Sequence, residues 1–224
     1  MKNVLNHALI MAAGRGLRMM PLTAIVPKPM APYNGSTLIA SSIKSIQSNI
    51  KKIHITVGYK GALLAEHVLG IGISSIFDTN DKGNSWWIYN TLMQYLDEPV
   101  LVMTADNIAQ LNYPLLLGNY IEMGRPACMV VPVKPVDGLD GDYVHHNSGV
   151  VTKLDRSDPS DIYCSGIQIL NPAKIIRLTT PSENFTDVWS QLILKQELHC
   201  SEVYPEKWIS VDTVQQLNNI ETAS

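Results

Sequence analysis

Ala12-Ala13-Gly14-Arg15-Gly16-Leu17-Arg18-Met19-Met20-Pro21-Leu22-Thr23, followed closely by Pro27-Lys28-Pro29-Met30, is the stretch on which the reading of this chain turns. It completes an apolar run over residues 7–13 that has the length of a buried strand and is too short to cross a membrane. Two glycines just past such a strand let backbone N–H groups approach a phosphate closely, because no Cβ stands in the way. Arg15 and Arg18 add charge-assisted hydrogen bonds suited to phosphoryl oxygens. Two common phosphate-binding motifs fail on spacing. A dinucleotide fingerprint needs a third glycine where Met19 stands and a helix starting inside the motif, which Pro21 opposes. A Walker A loop needs Gly-Lys-Ser/Thr at its end, and none follows.

Outward from this stretch, apolar runs of strand length alternate with stretches of helical periodicity. Strands are predicted over residues 53–58, 74–78, 100–104, 126–134 and 163–170. Helices are predicted over 36–49, 62–69, 84–96 and 185–198, with a last one that Asp212 precedes and that runs through Asn219. Pro132 points to an edge or a bulge in its strand. Residues 136–161, rich in Asp, Gly, Ser and His, read as a hairpin with mobile loops. Near-continuous apolar strands between helices predict an α/β fold: a Rossmann-like, mixed, mostly parallel sheet with helices on both faces. The 224 residues, 46% hydrophobic and without an evident linker, suit a single unit over 1–224 whose part from about 126 to 205 is less regular.

The formal net charge of −3 provides no basic field for a nucleic-acid backbone, so any bound anion is met by a few local cations. Cys128, Cys164 and Cys200 are an odd, sparse set without a C-x-x-C pair, which argues against a disulfide framework or a zinc site and suits a reducing cytoplasm. No segment is long and apolar enough to predict a membrane span.

Residues 13–23 and 27–30 together resemble the N-terminal signature of the sugar-phosphate nucleotidyltransferases, A-G-x-G-T-R-[LM]-x-P-L-T followed by P-K-P-M. Leu17 departs from that pattern, replacing a Thr or Ser and removing a hydroxyl near the phosphates. The resemblance implies the nucleotide-diphospho-sugar transferase fold, transfer of a nucleoside monophosphate with release of pyrophosphate, and Mg²⁺ as cofactor. It implies Arg18 and Lys28 as catalytic cations, and Ala12, Ala13, Gly14, Arg15, Gly16, Arg18, Asn80, Ser85, Ala105 and Asp106 as nucleotide-binding residues. It also implies Asp106 and Asp212 as metal ligands. Asp106 leaves the carboxyl end of an apolar strand, where open α/β sheets bind ligands. Asp212 stands in a W-x-x-x-D-T-like context with Trp208 and Thr213. Mg²⁺ suits one or two carboxylates completed by phosphates and water. The rival role for either aspartate is a helix N-cap, an attractive one for Asp212 before Thr213-Val214-Gln215.

Finer features resemble the choline-phosphate cytidylyltransferase branch: Thr79-Asn80-Asp81-Lys82 with Asn84 and Trp86-Trp87, then Ala105-Asp106-Asn107, Phe185-Thr186-Asp187-Val188-Trp189 and Val211-Asp212-Thr213-Val214-Gln215. They imply CTP as nucleotide and a small phosphorylated acceptor, L-glutamine phosphate or a phosphocholine-like molecule, in capsule or surface-polysaccharide modification. Trp86, Asn107 and Asp187 are the acceptor-side candidates. A tryptophan face suits a quaternary ammonium, although one member of the Trp86-Trp87 pair belongs in a core. Asp187 either holds an ammonium group or caps its helix, and Asn80 either reads a base edge or makes a turn. Lys153 and Arg156 are candidates for the family's second lysine, and His145-His146 reads as solvated. Two other classes compete: a non-catalytic nucleotide-sensing domain, and a glycosyltransferase with an Asp-x-Asp metal motif. Asp140-Gly141-Asp142 matches the latter, but in a polar loop instead of at the end of an apolar strand.

Overall fold

A computed structural model describes residues 4–136 and 141–222. Its strands are β1 (His7–Met11), β2 (Pro32–Tyr33), β3 (Ser36–Thr37), β4 (Lys52–Val57), β5 (Ser75–Asp78), β6 (Val100–Thr104), β7 (Asn107–Gln110), β8 (Cys128–Val133), β9 (Tyr143–Asn147), β10 (Val150–Asp155), β11 (Tyr163–Leu170), β12 (Leu198–Cys200) and β13 (Lys207–Ser210). Its helices are α1 (Leu22–Ile25), α2 (Leu38–Gln47), α3 (Gly61–Leu69), α4 (Trp86–Asn90), α5 (Tyr113–Glu122), α6 (Pro172–Leu178), α7 (Phe185–Leu194) and α8 (Val214–Thr222).

One sheet runs in the order β5-β4-β1-β6-β11-β8-β12-β10-β9. The strands β5, β4, β1 and β6 are parallel neighbours. Only β11 and β10 run against the common direction, so the sheet is mixed with most strands aligned, as the sequence predicts. On the central strand β1, the adjacent residues Leu9 and Ile10 are both fully buried and face opposite sides. Ile10 packs with Ile39 and Ile43 of α2, Leu64 of α3 and Leu116 of α5. Leu9 packs with Trp87 of α4, Ile175 of α6 and Val188 of α7. Helices therefore cover both faces, and the strand has no polar side to show. Each such aliphatic contributes about 1.5–3 kcal/mol by its burial.

The expected helix over 84–96 breaks in the middle. Thr91 is extended, its hydroxyl donates to the Trp87 carbonyl at 2.8 Å and accepts from Met93 N at 3.2 Å, and a 3-10 turn over Leu92–Tyr95 follows. A threonine hydroxyl competing for backbone groups is what ends α4. The expected helix over 185–198 stops at Leu194, because Leu198–Cys200 joins the sheet between β8 and β10. Residues 136–161 do contain a hairpin, β9–β10. Pro132 sits beyond the last β8–β12 pair, Val130–Cys200, and opposite Cys164 of β11 next to a register shift, the bulge side of the sequence expectation. Of the Asp-x-Asp candidate, Asp140 lies outside the described residues, and Asp142 accepts from Arg156 Nε at 3.1 Å. No helix among the described residues is long and apolar enough to cross a membrane.

At the amino edge of the sheet, His7 Nδ1 and His54 Nε2 lie 2.9 Å apart, and His54 Nδ1 is 2.6 Å from Ser75 Oγ. Burial, followed by the charges of His7 and Lys52, pushes His54 down to about 4, and burial also lowers His7. With the folded pKa below the ordinary 6.5, the unfolded chain takes up protons first as the pH falls. Stability is then complete above pH 6.5 and declines toward pH 4, by about 3 kcal/mol at the limit for this one group. Urea midpoints measured from pH 7 to pH 4.5 should fall accordingly, and His54→Gln should flatten the decline. An equal decline in the variant would refute the assignment.

Candidate active site

The carboxyl ends of β1, β4, β5 and β6 open onto a cleft of about 800 Å³, a size suited to a nucleotide-scale ligand. Its floor begins where β1 ends. Ala12 N donates to Thr56 O and Oγ1, Tyr59 N to Ala13 O, and Ala105 N to Met11 O, so the loop leaves the sheet from a tied base. Gly16 then turns with φ 61° and ψ 41°, and Thr23 Oγ1 donates to its carbonyl at 3.1 Å. Among the described hydrogen bonds, none is donated by the backbone N–H of Gly14, Arg15 or Gly16. A Cβ on Gly14 would meet nothing within 4 Å, so the space over this backbone is open to a ligand.

Two carboxylates and one ammonium face this loop. Lys28 Nζ lies 2.7 Å from Asp106 Oδ2 and 2.9 Å from Asp212 Oδ1, and Arg18 reaches Asp212 Oδ1 at 2.9 Å. Lys28 follows Pro27 on a 3-10 turn that also contains Pro29, a stiff local backbone that aims its stem at Gly16. The two aspartates meet through strand register. β7 pairs antiparallel with β13 so that Asn107 opposes Ser210, and Val211 N donates to Asp106 O at 3.0 Å. Asp212 does not cap α8. Gln216 Oε1 accepts from Asp212 N and Thr213 N while Thr213 Oγ1 accepts from Gln216 N, a reciprocal cap that leaves the Asp212 carboxylate to the cleft.

Of the sequence-predicted nucleotide residues, Ala12, Ala13, Gly14, Arg15, Gly16, Arg18, Asn80, Ala105 and Asp106 line the cleft, together with Lys28 and Asp212. Ser85 does not: it is fully buried and its hydroxyl donates to Ser182 O at 2.8 Å. Asn107 is buried behind the wall, where its amide donates to Thr104 Oγ1 at 2.8 Å and Ser165 O at 2.7 Å. Asp187 is exposed in the first turn of α7 and accepts from Ser182 Oγ at 2.9 Å. Trp86 is half-buried outside the lining, and it is Trp87 that borders the cleft. Neither candidate for the second lysine reaches the site, since Lys153 is paired with Asp155 and Asp158 and Arg156 with Asp142 on the β9–β10 hairpin. Besides Arg15, Arg18 and Lys28, the cation of the lining is Lys82, which with Asn84 belongs to the 79–87 resemblance but was given no role there; Tyr59, which the sequence did not mark, also lines the cleft. The wall over 80–84 is held from behind: Asn84 Oδ1 accepts from Phe185 N at 2.8 Å, and a Cβ on Gly83 would collide with the Glu183 carbonyl.

The donor set for Mg²⁺ is all oxygen and numbers two carboxylates on one ammonium; the described residues contain no group of three or more His, Cys, Asp or Glu that could hold a metal by themselves. That suits an ion completed by substrate phosphates and water.

Residues 7–155 match the family described as Nucleotidyl transferase, and the chain belongs to it. It is 27% identical over 207 residues to a glucose-1-phosphate adenylyltransferase of Thermotoga neapolitana, covering 79% of this chain and 48% of that relative. To a glucose-1-phosphate adenylyltransferase of Pseudarthrobacter chlorophenolicus it is 27% identical over 175 residues, covering 69% of this chain and 36% of that relative. The chain thus spans less than half the length of these two relatives. In fold it resembles the inositol-1-phosphate CTP transferase from T. maritima, with a TM-score of 0.78 at 18% identity over 96% of this chain and 92% of that one.

Proposed function

We propose that this protein transfers a nucleoside monophosphate, CMP from CTP, to the phosphate of a small phosphorylated metabolite and releases pyrophosphate. The observation that carries the reading is the Lys28 ammonium shared by Asp106 and Asp212 beside the glycine loop. A phosphate oxygen of the acceptor attacks the α-phosphorus, the new P–O bond forms in line with the departing pyrophosphate, and no general base is needed because the acceptor phosphate is already ionised. Two anions have to meet, so the chain's part is positioning and charge compensation. The Gly14–Gly16 backbone and Arg18 hold the β- and γ-phosphates, and Lys28 steadies the α-phosphate and the incoming oxygen. Asp106 and Asp212 would hold Mg²⁺, which when bound stabilises charge developing on the phosphate oxygens.

CTP is supported by the resemblance of 79–82, 105–107 and 211–215 to the cytidylyltransferase branch. The reading extends to L-glutamine phosphate as acceptor, as in the CTP:phosphoglutamine cytidylyltransferase of capsular phosphoramidate synthesis, and to a cytoplasmic setting, which the free thiols of Cys128, Cys164 and Cys200 suit. A second reading, a sugar 1-phosphate acceptor with another NTP, draws on the names of the relatives above. The test is pyrophosphate release with Mg²⁺, each common NTP being run against L-glutamine phosphate, phosphocholine and several sugar 1-phosphates. Release with CTP and one acceptor is expected. NTP binding without release across the whole panel would overturn transfer and favour a nucleotide sensor.

A further inference from the structure

The two aspartates of the cleft are carried by strands that do not belong to the main sheet. β7 and β13 pair with each other in a ribbon of their own, apart from the nine-stranded sheet that presents the glycine loop. Asp106 immediately precedes β7, and Asp212 follows β13 across Val211. A two-stranded ribbon is marginal by itself, so its placement depends on what docks it. The hydrogen bonds that dock it converge on one carbonyl. Ser165 O of β11 accepts from Asn107 Nδ2 at 2.7 Å and from Trp208 Nε1 at 3.0 Å, one donor from each strand of the ribbon. The Asn107 amide also donates to Thr104 Oγ1 at 2.8 Å, so it ties the end of β6 to β11 around Asp106. The carbonyl itself is held in place. The register of β11 against β8 shifts between Cys164 and Gln168, and Ser165 Oγ bridges the shift, donating to Val131 O at 2.6 Å and accepting from Ile167 N at 3.1 Å. Gly166 follows with φ 77°, and a Cβ there would lie 2.9 Å from both Asn107 Nδ2 and Thr104 Oγ1. Glycine thus leaves the room that the amide fills. Ser165 and Asn107 are both buried, where such bonds are made away from water.

We propose that Asn107 and Trp208 are positioning residues for Asp106 and Asp212, and that the Ser165 carbonyl is the fixed point from which both carboxylates take their place. The inference rests on the transfer reading above and deepens it at the same site. Neither side chain touches substrate; each acts through the strand that carries it. Asn107 sets the turn at Asp106, and Trp208 sets the strand that leads to Asp212. Because both bond the same atom, the separation of the two carboxylates is fixed together with their distance from Lys28. Outer partners of metal ligands act in this way, and losing one typically lowers metal affinity or activity by tenfold or more. The nucleotide phosphates are met by the glycine loop and Arg18, on other elements, so their grip should not change.

The test compares Trp208→Phe and Asn107→Leu with the wild-type chain. The first keeps an aromatic ring against the core and removes one N–H; the second keeps the bulk and removes the amide. Each leaves Ser165 O with one donor, so both are expected to fold. Trp189→Phe is the control, since it loses a similar indole bond, to Gln168 Oε1 at 3.1 Å, away from the ribbon. Mn²⁺ binding is titrated by electron paramagnetic resonance with the α,β-methylene analogue of whichever common NTP the wild-type chain holds most tightly. Trp208→Phe and Asn107→Leu should each weaken Mn²⁺ binding about tenfold and lower kcat by a similar factor. Affinity for the analogue without metal should stay within about twofold of wild type. Trp189→Phe should change melting temperature alone. The proposal is overturned if the ribbon variants also change only melting, if they lose nucleotide and metal affinity in proportion, or if neither folds, since the carbonyl would then serve the fold and not the site. Metal binding by the wild-type chain without pyrophosphate release would defeat the transfer reading instead and leave the positioning roles readable from Mn²⁺. No Mn²⁺ binding by the wild-type chain would defeat the metal role of Asp106 and Asp212, and this inference with it.

Discussion

Lys28→Ala is expected to lower pyrophosphate release by roughly a hundredfold or more, the effect of losing one preorganised charge contact at a reacting phosphate. The ammonium is largely withdrawn from water, with 12% of its side chain exposed, and it is the group common to both carboxylates. A fixed charge counts for more where water is scarce. Its removal also leaves Asp106 and Asp212 facing each other, with Arg18 remaining on Asp212 alone. Breaking a part-buried ion pair from one side is destabilising, so melting has to be measured with turnover. Asp106→Asn separates the two effects. It keeps the shape and an oxygen for Lys28, removes the charge that would hold the metal, and should lose a comparable factor in turnover with less change in melting temperature. Near-normal turnover in either variant would defeat the assignment.

Gly16→Ala carries the second large effect, and for two independent reasons. With φ at 61° and ψ at 41° the residue is left-handed, which costs an L-amino acid about 1–2 kcal/mol. A Cβ there would also lie 2.7 Å from Lys28 Cβ and 3.2 Å from Thr23 Cγ2, so the loop and the lysine stem must part. The expected outcome is about 1–2 kcal/mol less stability in urea, with turnover down at least tenfold because Lys28 is displaced. Gly14→Ala is the contrast. Its new methyl meets no protein atom within 4 Å, so stability should hold while the nucleotide KM rises, the methyl occupying space over the phosphate-facing backbone. Equal stability losses in the two variants would show that the left-handed turn at Gly16 is not the reason for glycine there.

The parallel strands were legible because they are buried on both faces and read as unbroken apolar runs, as residues 100–104 do for β6, to the residue; the antiparallel β11 was placed to the residue as well, over 163–170. The glycine loop and its following lysine were legible because two glycines after a buried strand, and a lysine held between two prolines, form a fixed local pattern. Short elements escaped. β7, β12 and β13 span three or four residues each and owe their conformation to the strand beside them, so no period could announce them. Thr91 ended a helix that its apolar pattern would have continued, since its hydroxyl found backbone partners that periodicity does not count.

The sequence by itself determined the class of sheet, the glycine loop that follows its first strand, and the identities of Lys28, Asp106 and Asp212 as residues worth joining. Tertiary structure alone decided that they do join. The register of Asn107 on Ser210 and the Gln216 cap on Thr213 turn Asp212 from a possible helix cap into a partner of Lys28. It likewise decided that Trp87 and not Trp86 borders the cleft, that Ser85 and Asn107 stand behind its wall, and that Lys153 and Arg156 stay on their hairpin. The physical reason is that local pattern fixes which way the backbone runs, but the direction a polar side chain faces is set by the partner it meets. For Lys153 that is Asp158, 5 residues on, whereas for Lys28 it is Asp212, 184 residues on, and such distant groups become neighbours only when the sheet is assembled.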